Sequence, residues 1–272
     1  MRVAILDMYN NLPGKHGIRC ITDWLGSYDF ITEINMFNVR AKHEIPSLEY
    51  DIYIGSGGPG NPLELDLNWT PAYYNLIDNL TDHNGRNPND PKYFFAICHS
   101  FQMLCAHFNL GQIVKRDRFT FGLTKISKSS NGQFDPLLKD LEDEFEAAEF
   151  RYFSVINPIK ISLIKTGAEI LALESFPPNT SGNHEIAIMS VKFSDYVYGT
   201  QFHPEADRSG MLSNLRSEHT RPELLKSFSA LELDQLDVIF STTNSIAQIN
   251  KTILPNFMKI VTETQGSLTG KN

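Results

Sequence analysis

Cysteine is scarce in this sequence. Only Cys20, Cys98 and Cys105 occur among its 272 residues, and no C-x-x-C pair is present. An odd, low number of cysteines without such a pair argues against a disulfide framework and against a zinc site. Structural disulfides are rare in the reducing cytosol, whereas free thiols are common there. We therefore predict a cytoplasmic protein with no bound metal.

An excess of basic residues and long apolar runs are also missing. Lys and Arg number 24 against 32 Asp and Glu, which gives a formal net charge of −8. A nucleic-acid-binding surface would need a basic stripe, so we predict no nucleic-acid partner. No run reaches the roughly 18 apolar residues of a membrane span. The N-terminal stretch "MRVAILDMY" lacks the apolar core of a signal peptide, so we expect no membrane association.

The first half of the sequence alternates between strand-like and helix-like segments. Short apolar runs at 3–6, 50–54 and 92–98 predict buried strands, and segments with i, i+3, i+4 spacing lie between them. Such alternation is typical of a parallel sheet with helices on both faces. Short strand-like runs follow, including 110–116 and 123–127, and they indicate added antiparallel strands. We predict an α/β fold with an open, mostly parallel sheet flanked by helices.

The stretch "YFFAICHSFQMLC" places Cys98 between a buried strand and a helix. A strand end followed at once by a helix puts a side chain at the sheet edge where ligands bind in open α/β folds. Such a turn needs small neighbours, and Ala96 and Ser100 are small. A helix N-terminus also lowers the pKa of a thiol. Taken alone, however, a cysteine in an apolar run is more often an inert core thiol.

Three other features favour a reactive Cys98. The loop "GSGGPGNP" at 55–62 is rich in glycine, which lets backbone amides approach a ligand closely. In "QFHPE", His203 and Glu205 are two residues apart and point to the same side of an extended chain, as a base and its orienting carboxylate would. Gln102 lies one helical turn after Cys98. Each feature has a plain alternative: a tight turn, a surface ion pair and an exposed helix residue, respectively.

Together these segments resemble the class I, triad-type glutamine amidotransferases. The family pattern G-x-C-x-G-x-Q reads "AICHSFQ" here, G-x-Q-F-H-P-E reads "GTQFHPE", and S-x-G-P-G-x-P reads "SGGPGNP". The resemblance spans residues 1 to about 205 of this chain. Within the family, the sequence is similar to the amidotransferase domain of GMP synthase. It implies a flavodoxin-like α/β fold and a glutaminase that needs no cofactor.

The resemblance also implies roles for individual residues. Cys98 would be the nucleophile, His203 the base and Glu205 its orienter. The backbone N–H groups of Gly58 and His99 would form the oxyanion hole. Gln102, Phe153 and Ser154 are the candidates for holding the amino-acid end of the substrate. The family delivers ammonia to a separate acceptor site, so a synthetase or acceptor subunit is the expected partner.

The sequence departs from the family pattern at three positions. Ala96 and Ser100 replace both elbow glycines, and Phe153 stands where many members have histidine. The change at Phe153 leaves a second enzymatic function open, that of a γ-glutamyl hydrolase or peptidase with the same triad. A catalytically silent subunit that only binds a partner is a third alternative. Neither the ammonia acceptor nor the oligomeric state follows from the sequence.

The last part of the chain changes character. Residues 206 to about 265 have helical spacing and no strand-like run. We predict an α/β domain over 1–205 and a helical extension over 206–272 that packs on it. Since the extension starts directly after Glu205, we hypothesise that it covers the site or docks a partner, a packing appendage being the alternative.

Overall fold

A computed structural model of the chain describes residues 1–12, 16–175 and 185–269. The helices are α1 His16–Leu25, α2 Val39–Lys42, α3 Thr70–Arg86, α4 His99–His107, α5 Lys160–Thr166, α6 Arg208–Arg216, α7 Arg221–Leu224, α8 Ala230–Thr242 and α9 Ser245–Thr269. The strands are β1 Arg2–Asp7, β2 Glu33–Asn38, β3 Ile52–Gly55, β4 Tyr93–Ile97, β5 Gln112–Lys128, β6 Glu144–Ile156, β7 Glu169–Ser175, β8 Ile186–Ser194 and β9 Val197–Thr200.

One sheet of nine strands runs through the described residues in the order β2-β1-β3-β4-β9-β8-β6-β5-β7. The five strands β2, β1, β3, β4 and β9 pair with one another in parallel, and β9 pairs antiparallel with β8 on its other side. The apolar runs of β1, β3, β4 and β9 are buried along almost their whole length, as expected for strands covered on both faces. This half of the sheet matches the parallel α/β arrangement predicted from the sequence.

The other half of the sheet is antiparallel and is not open. Strands β5, β6, β7 and β8 pair antiparallel, and β7 pairs with both β5 and β8. This double pairing closes four strands into a barrel-like ring. The sequence-based description of an open, mostly parallel sheet therefore holds only for the first half. The closure depends on contacts between segments far apart in the chain, which local patterns do not reveal.

Strand β5 is longer than the sequence pattern indicated. The runs 110–116 and 123–127, predicted as separate short strands, are joined in one strand, Gln112–Lys128. Its register against β6 shifts between Lys115 and Thr120. Such a shift interrupts the regular pairing without ending the strand, so the segment between the two runs is part of β5 rather than a turn.

Helices cover both faces of the parallel half. On one face, α1 and α9 pack against β1, β3 and β4, and the ring of Phe257 from α9 lies 5.0 Å from that of Phe95 in β4. On the other face, α3 and α4 pack in a second apolar cluster. A third cluster joins α6, α7 and α8 to the outer face of β5 and β6.

The described part of the chain after residue 206 contains the helices α6 to α9, joined by short turns, and no strand. Helix α9 contributes fully buried side chains, including Ile253 and Phe257, to the same core as the sheet. Burying one such side chain stabilises a fold by about 1.5–3 kcal/mol. The division at residue 205 stays a prediction, but α9 and the sheet share one core.

Candidate active site

Cys98 occupies a strained backbone turn between β4 and α4. Its φ of 49° and ψ of −98° lie in a region that non-glycine residues rarely adopt. Such a conformation costs about 1–3 kcal/mol and persists only when its surroundings hold it. The Cys98 N–H donates to the Thr200 carbonyl at 2.8 Å, and the Cys98 carbonyl accepts from the Gln102 N–H at 2.9 Å. These two bonds fix the turn between the end of β9 and the first turn of α4.

The turn forms although neither elbow position is glycine. The Ser100 hydroxyl donates to the Ser56 carbonyl at 2.7 Å, which ties α4 to the glycine-rich loop. Opposite Ala96, a Cβ on Gly199 would lie only 3.2 Å from the Ala96 Cβ. Glycine on the neighbouring strand therefore provides the space that the elbow itself does not.

His203 and Glu205 lie together beside Cys98. The Nδ1 atom of His203 is 2.8 Å from Oε1 of Glu205, and the Glu205 side chain is only 1% exposed. The Nε2 atom of His203 is buried and makes no hydrogen bond to the described residues. The alternative of a surface ion pair is thus excluded, since the carboxylate is enclosed.

The charges around His203 favour the protonated form of its imidazole. Burial disfavours the cation, but the negative charges of Glu205 and Cys98 outweigh burial and hold the pKa of His203 well above its usual range. A charge in a buried site is tolerated when opposite charges surround it. In contrast, burial raises the pKa of Cys105 well above its usual value, and its side chain is fully enclosed in the core.

The glycine-rich loop lies directly against this pair. A Cβ on Gly57 would lie 2.8 Å from Cε1 of His203 and 3.5 Å from the Cβ of Cys98. A Cβ on Gly58 would overlap the Met8 carbonyl instead. Both positions need glycine because neighbouring atoms occupy the space of a side chain. Gly57, for which the sequence predicted no role, is the glycine that contacts Cys98 and His203.

His99 is the first residue of α4, so its N–H has no acceptor within the helix. Its imidazole is buried, and its Nδ1 has no hydrogen-bond partner among the described residues. Burial, and then the positive charge of Arg40, lower the pKa of His99 to about 3. The neutral ring is therefore part of the packing, while the free N–H points out of the helix start.

Gln102 is buried, so the alternative of an exposed helix residue is wrong. Its side chain is 3% exposed, and its Nε2 donates to the Phe153 carbonyl at 2.9 Å and to Oε1 of Gln201 at 3.0 Å. Gln201 in turn directs its own Nε2 toward the Cys98 Sγ at 3.6 Å. The hydroxyl of Ser154 accepts from Arg116 at 3.2 Å. The three predicted substrate-binding residues thus share one region with Cys98.

Two further residues at the site carried no prediction. Gln201 lies within "GTQFHPE", so the motif itself was the available signal. Tyr9 follows β1, and a Cβ on Gly17 would overlap the Tyr9 hydroxyl and lie 3.2 Å from Oε1 of Glu205. Burial, and then the charges of Glu205 and Cys98, raise the pKa of Tyr9 well above its usual value. No sequence motif marked Tyr9.

Helix α9 contacts the candidate site through the side chain of Asn250. The Asn250 side-chain amide donates to the carbonyls of Glu205 at 3.1 Å and Pro204 at 3.4 Å. The helical part of the chain therefore lies against the backbone of the His203–Glu205 segment. This contact is compatible with the hypothesis that the extension acts on the site, which stays a prediction.

Within residues 1–12, 16–175 and 185–269, no group of three or more His, Cys, Asp and Glu side chains could hold a metal ion. In the same part of the chain, no helix is long and apolar enough to cross a membrane.

The family model described as "Glutamine amidotransferase class-I" matches residues 18–216 of the chain. This match covers most of the sequence and includes all three motif segments. A sequence comparison with curated proteins gave no significant match.

Several solved structures are similar in fold. A glutamine amidotransferase from Thermotoga maritima is 14% identical with a TM-score of 0.56, and the match covers 96% of this chain and 98% of that one. A glutamine amido transferase from Methylobacillus flagellatus is 18% identical with a TM-score of 0.60, covering 95% and 94%. A putative GMP synthase subunit from Thermoplasma acidophilum is 16% identical with a TM-score of 0.52, covering 99% and 98%.

Proposed function

The chain belongs to the class I glutamine amidotransferase family, and we propose that it hydrolyses the side-chain amide of glutamine through a thioester on Cys98. One observation carries this proposal. A cysteine in a strained turn at a helix start lies beside a buried His203–Glu205 pair that keeps the imidazole charged. A thiolate next to an imidazolium is the reactive form of a cysteine nucleophile.

The first half-reaction uses that ion pair. The Cys98 thiolate attacks the amide carbon of the substrate, and the carbonyl oxygen takes up the negative charge. The His203 imidazolium then donates its proton to the amide nitrogen as the C–N bond breaks. Ammonia leaves, and the γ-glutamyl group stays on Cys98 as a thioester. Glu205 holds the ring orientation through Nδ1, which leaves Nε2 for this proton transfer.

The second half-reaction needs a water molecule. Neutral His203 accepts a proton from the water, whose oxygen attacks the thioester carbon. The C–S bond breaks, glutamate leaves, and Cys98 and His203 return to the thiolate–imidazolium pair. Both half-reactions therefore use the same two side chains with opposite proton transfers, and neither uses a cofactor.

The backbone N–H groups of Gly58 and His99 are the proposed oxyanion hole. The N–H of His99 is at the helix start, where it lacks an intrahelical acceptor. One such donor typically contributes about 3 kcal/mol to lowering the barrier. Gly57 supports this arrangement, because its missing side chain lets the loop approach Cys98 and His203.

We propose that Gln102, Phe153 and Ser154 form the wall for the amino-acid end of the substrate. The Gln102 amide already donates two hydrogen bonds, to Phe153 and Gln201, so its role here is to hold β6 beside α4. The Phe153 side chain then takes the place of the histidine common in the family. Because this wall differs, a larger γ-glutamyl amide is the second candidate substrate, as for a γ-glutamyl hydrolase or peptidase.

A separate acceptor protein is the proposed partner for the released ammonia. Three leucines follow the glycine-rich loop and are strongly exposed: Leu63 at 53%, Leu65 at 67% and Leu67 at 82%. An apolar stretch of this kind beside a site is compatible with a contact to another protein.

Ammonia release from glutamine tests the main proposal directly. The purified chain should release ammonia and glutamate in equal amounts, and Cys98→Ala and His203→Gln should each reduce the rate by about a thousandfold or more. A glutamine-mimicking electrophile should label Cys98 in the wild type and not in His203→Gln. Faster turnover of γ-glutamyl peptides than of glutamine would favour the second candidate. Absence of both hydrolysis and labelling would overturn the enzymatic proposals in favour of a silent, partner-binding subunit.

A further inference from the structure

Strand β6 lies directly beside the candidate catalytic pair. The His203 N–H donates to the Ala148 carbonyl at 2.9 Å, and the Cys98 thiol is 3.8 Å from the Phe150 carbonyl. Glu149 is the residue between these two contacts. Its side chain is fully buried, and it belongs to neither proposed half-reaction.

The Glu149 side chain lies on the face of β6 that is turned toward the His203 segment. Side chains alternate along a strand, so Phe145, Ala147, Glu149 and Arg151 share one face. The register of β6 against β5 is regular between residues 144 and 151. On that face, the ring of Phe145 is 5.9 Å from that of Phe202, the neighbour of His203.

Glu149 belongs to a buried cluster of alternating charges. The Glu149 Oε2 is 2.7 Å from Nε of Arg151, whose side chain is 1% exposed. Arg151 also pairs with Glu174, and Glu174 pairs with Arg116 at 3.3 Å. Neither carboxylate oxygen of Glu149 has a hydrogen-bond partner of good geometry among the described residues. A fully buried carboxylate with one ion pair and no such hydrogen bond is rare enough to require an explanation.

We propose that Glu149 is a positioning residue: its carboxylate, held by Arg151, is a second counter-charge for the His203 imidazolium. Glu205 orients the ring through a hydrogen bond, whereas Glu149 acts through space from β6. This inference rests on the proposed function in one respect, namely that His203 takes part in the reaction.

The charged groups around His203 are consistent with this role. Glu205 is on its own segment, Cys98 is on the β4–α4 turn, Glu149 is on β6, and Tyr9 follows β1. Burial raises the pKa of Glu149, and the negative charge of Glu174 adds to the rise, whereas the positive charges of Arg151 and then of His203 oppose it. The attraction is mutual, so an ionised Glu149 favours the charged form of His203 and with it the Cys98 thiolate.

The substitution Glu149→Gln keeps the shape of the side chain and removes its charge. The His203 imidazolium is then less stabilised, so less of the thiolate–imidazolium pair forms near neutral pH. Alkylation of Cys98 by iodoacetamide should therefore slow by about fivefold or more. At strongly alkaline pH the thiol ionises in either protein, and the two rates should converge. Mass spectrometry assigns the alkylation to Cys98, because Cys20 and Cys105 are also present.

Glu144→Gln is the matched control on the same strand. Glu144 pairs with Lys125 at the surface, so its substitution should leave the alkylation profile unchanged. Wild-type rates in Glu149→Gln at every pH would overturn the proposal. Should the loss of the ion pair with Arg151 prevent folding, the double variant Glu149→Gln/Arg151→Gln restores the neutrality of the buried cluster. It should still show slower alkylation near neutral pH, and a wild-type profile in it would equally overturn the proposal.

The readout separates this inference from the proposed function. Alkylation uses no glutamine, so it reports on the ion pair whatever the substrate is. A wild type that releases no ammonia would contradict the proposed function alone. An active wild type with an unchanged alkylation profile in Glu149→Gln would contradict the role of Glu149 alone. With an active wild type, the alkaline limb of kcat/KM should also move to lower pH in Glu149→Gln.

Discussion

Gly55 and Ser100 interlock at the turn that carries Cys98. A Cβ on Gly55 would lie 2.8 Å from the Cβ of Ser100 and 2.7 Å from its hydroxyl oxygen. The contact between the end of β3 and the start of α4 therefore needs one residue without a side chain. In this chain the residue without a side chain is Gly55 in β3, and Ser100, at a position where the family pattern has glycine, donates to the Ser56 carbonyl.

The interlock predicts non-additive stability effects. Gly55→Ala should lower the free energy of unfolding by about 1–3 kcal/mol, because the new methyl group overlaps Ser100. Ser100→Gly should cost about 1 kcal/mol through the lost hydrogen bond. In the Ser100→Gly background, Gly55→Ala should cost clearly less, although Phe94 at 3.1 Å leaves some overlap. Urea unfolding of the four proteins measures this cycle, and strictly additive effects would contradict the interlock.

The sequence was sufficient to find the three site segments, because each combines rare residues in a fixed local order. It also predicted β1, β3 and β4, whose apolar runs are buried along almost their whole length. The barrel-like closure was not predictable in this way, since β7 meets β5 and β8 through long-range pairing. Compensation between Gly55 and Ser100 was hidden for the same reason: the two residues lie in separate segments of the sequence, and only the fold brings β3 and α4 together.

Gly57→Ala should reduce activity strongly. The added methyl group would lie 2.8 Å from the His203 ring, so the ring must move away from Cys98. A displacement of about 1 Å at a reacting group can reduce the rate about a hundredfold. Ammonia release measures the effect on kcat.

Gly85→Ala is the control for Gly57→Ala. Gly85 lies in α3, and nothing is within 4 Å of an added Cβ there. Alanine in a helix should stabilise the protein by about 0.5–1 kcal/mol and leave the rate unchanged. Equal rates for Gly57→Ala and Gly85→Ala would show that the loop does not confine His203.

Asn250→Ala tests whether α9 supports the site. The variant removes the hydrogen bonds from the Asn250 amide to the Glu205 and Pro204 carbonyls. The free energy of unfolding should fall by about 1 kcal/mol, and kcat should fall severalfold because the Glu205 backbone loses its support. Lys251→Ala, at an exposed neighbour, should change neither quantity. A fall in stability without any change in kcat would indicate a packing role alone for this part of α9.

Acidification should destabilise the protein through His99. Burial lowers the pKa of His99 to about 3, so the folded chain holds a neutral ring where the unfolded chain binds a proton. Below the unfolded value of about 6.5, the unfolded state takes up the proton first. The stabilising contribution of neutral His99 is therefore complete above that pH. It is lost as pH falls toward 3, by up to about 1.4 kcal/mol per pH unit.

His99→Gln removes this titration and should flatten the acid side of the stability profile. Urea unfolding at several pH values between 7 and 4 gives the free energy of unfolding for both proteins. The difference between wild type and variant should shrink as the pH falls, because only the wild type has a buried imidazole to protonate. His219→Gln, at an exposed position, should run parallel to the wild type. A constant difference between wild type and His99→Gln would mean that the buried His99 ring does not resist protonation and does not account for a loss of stability in acid.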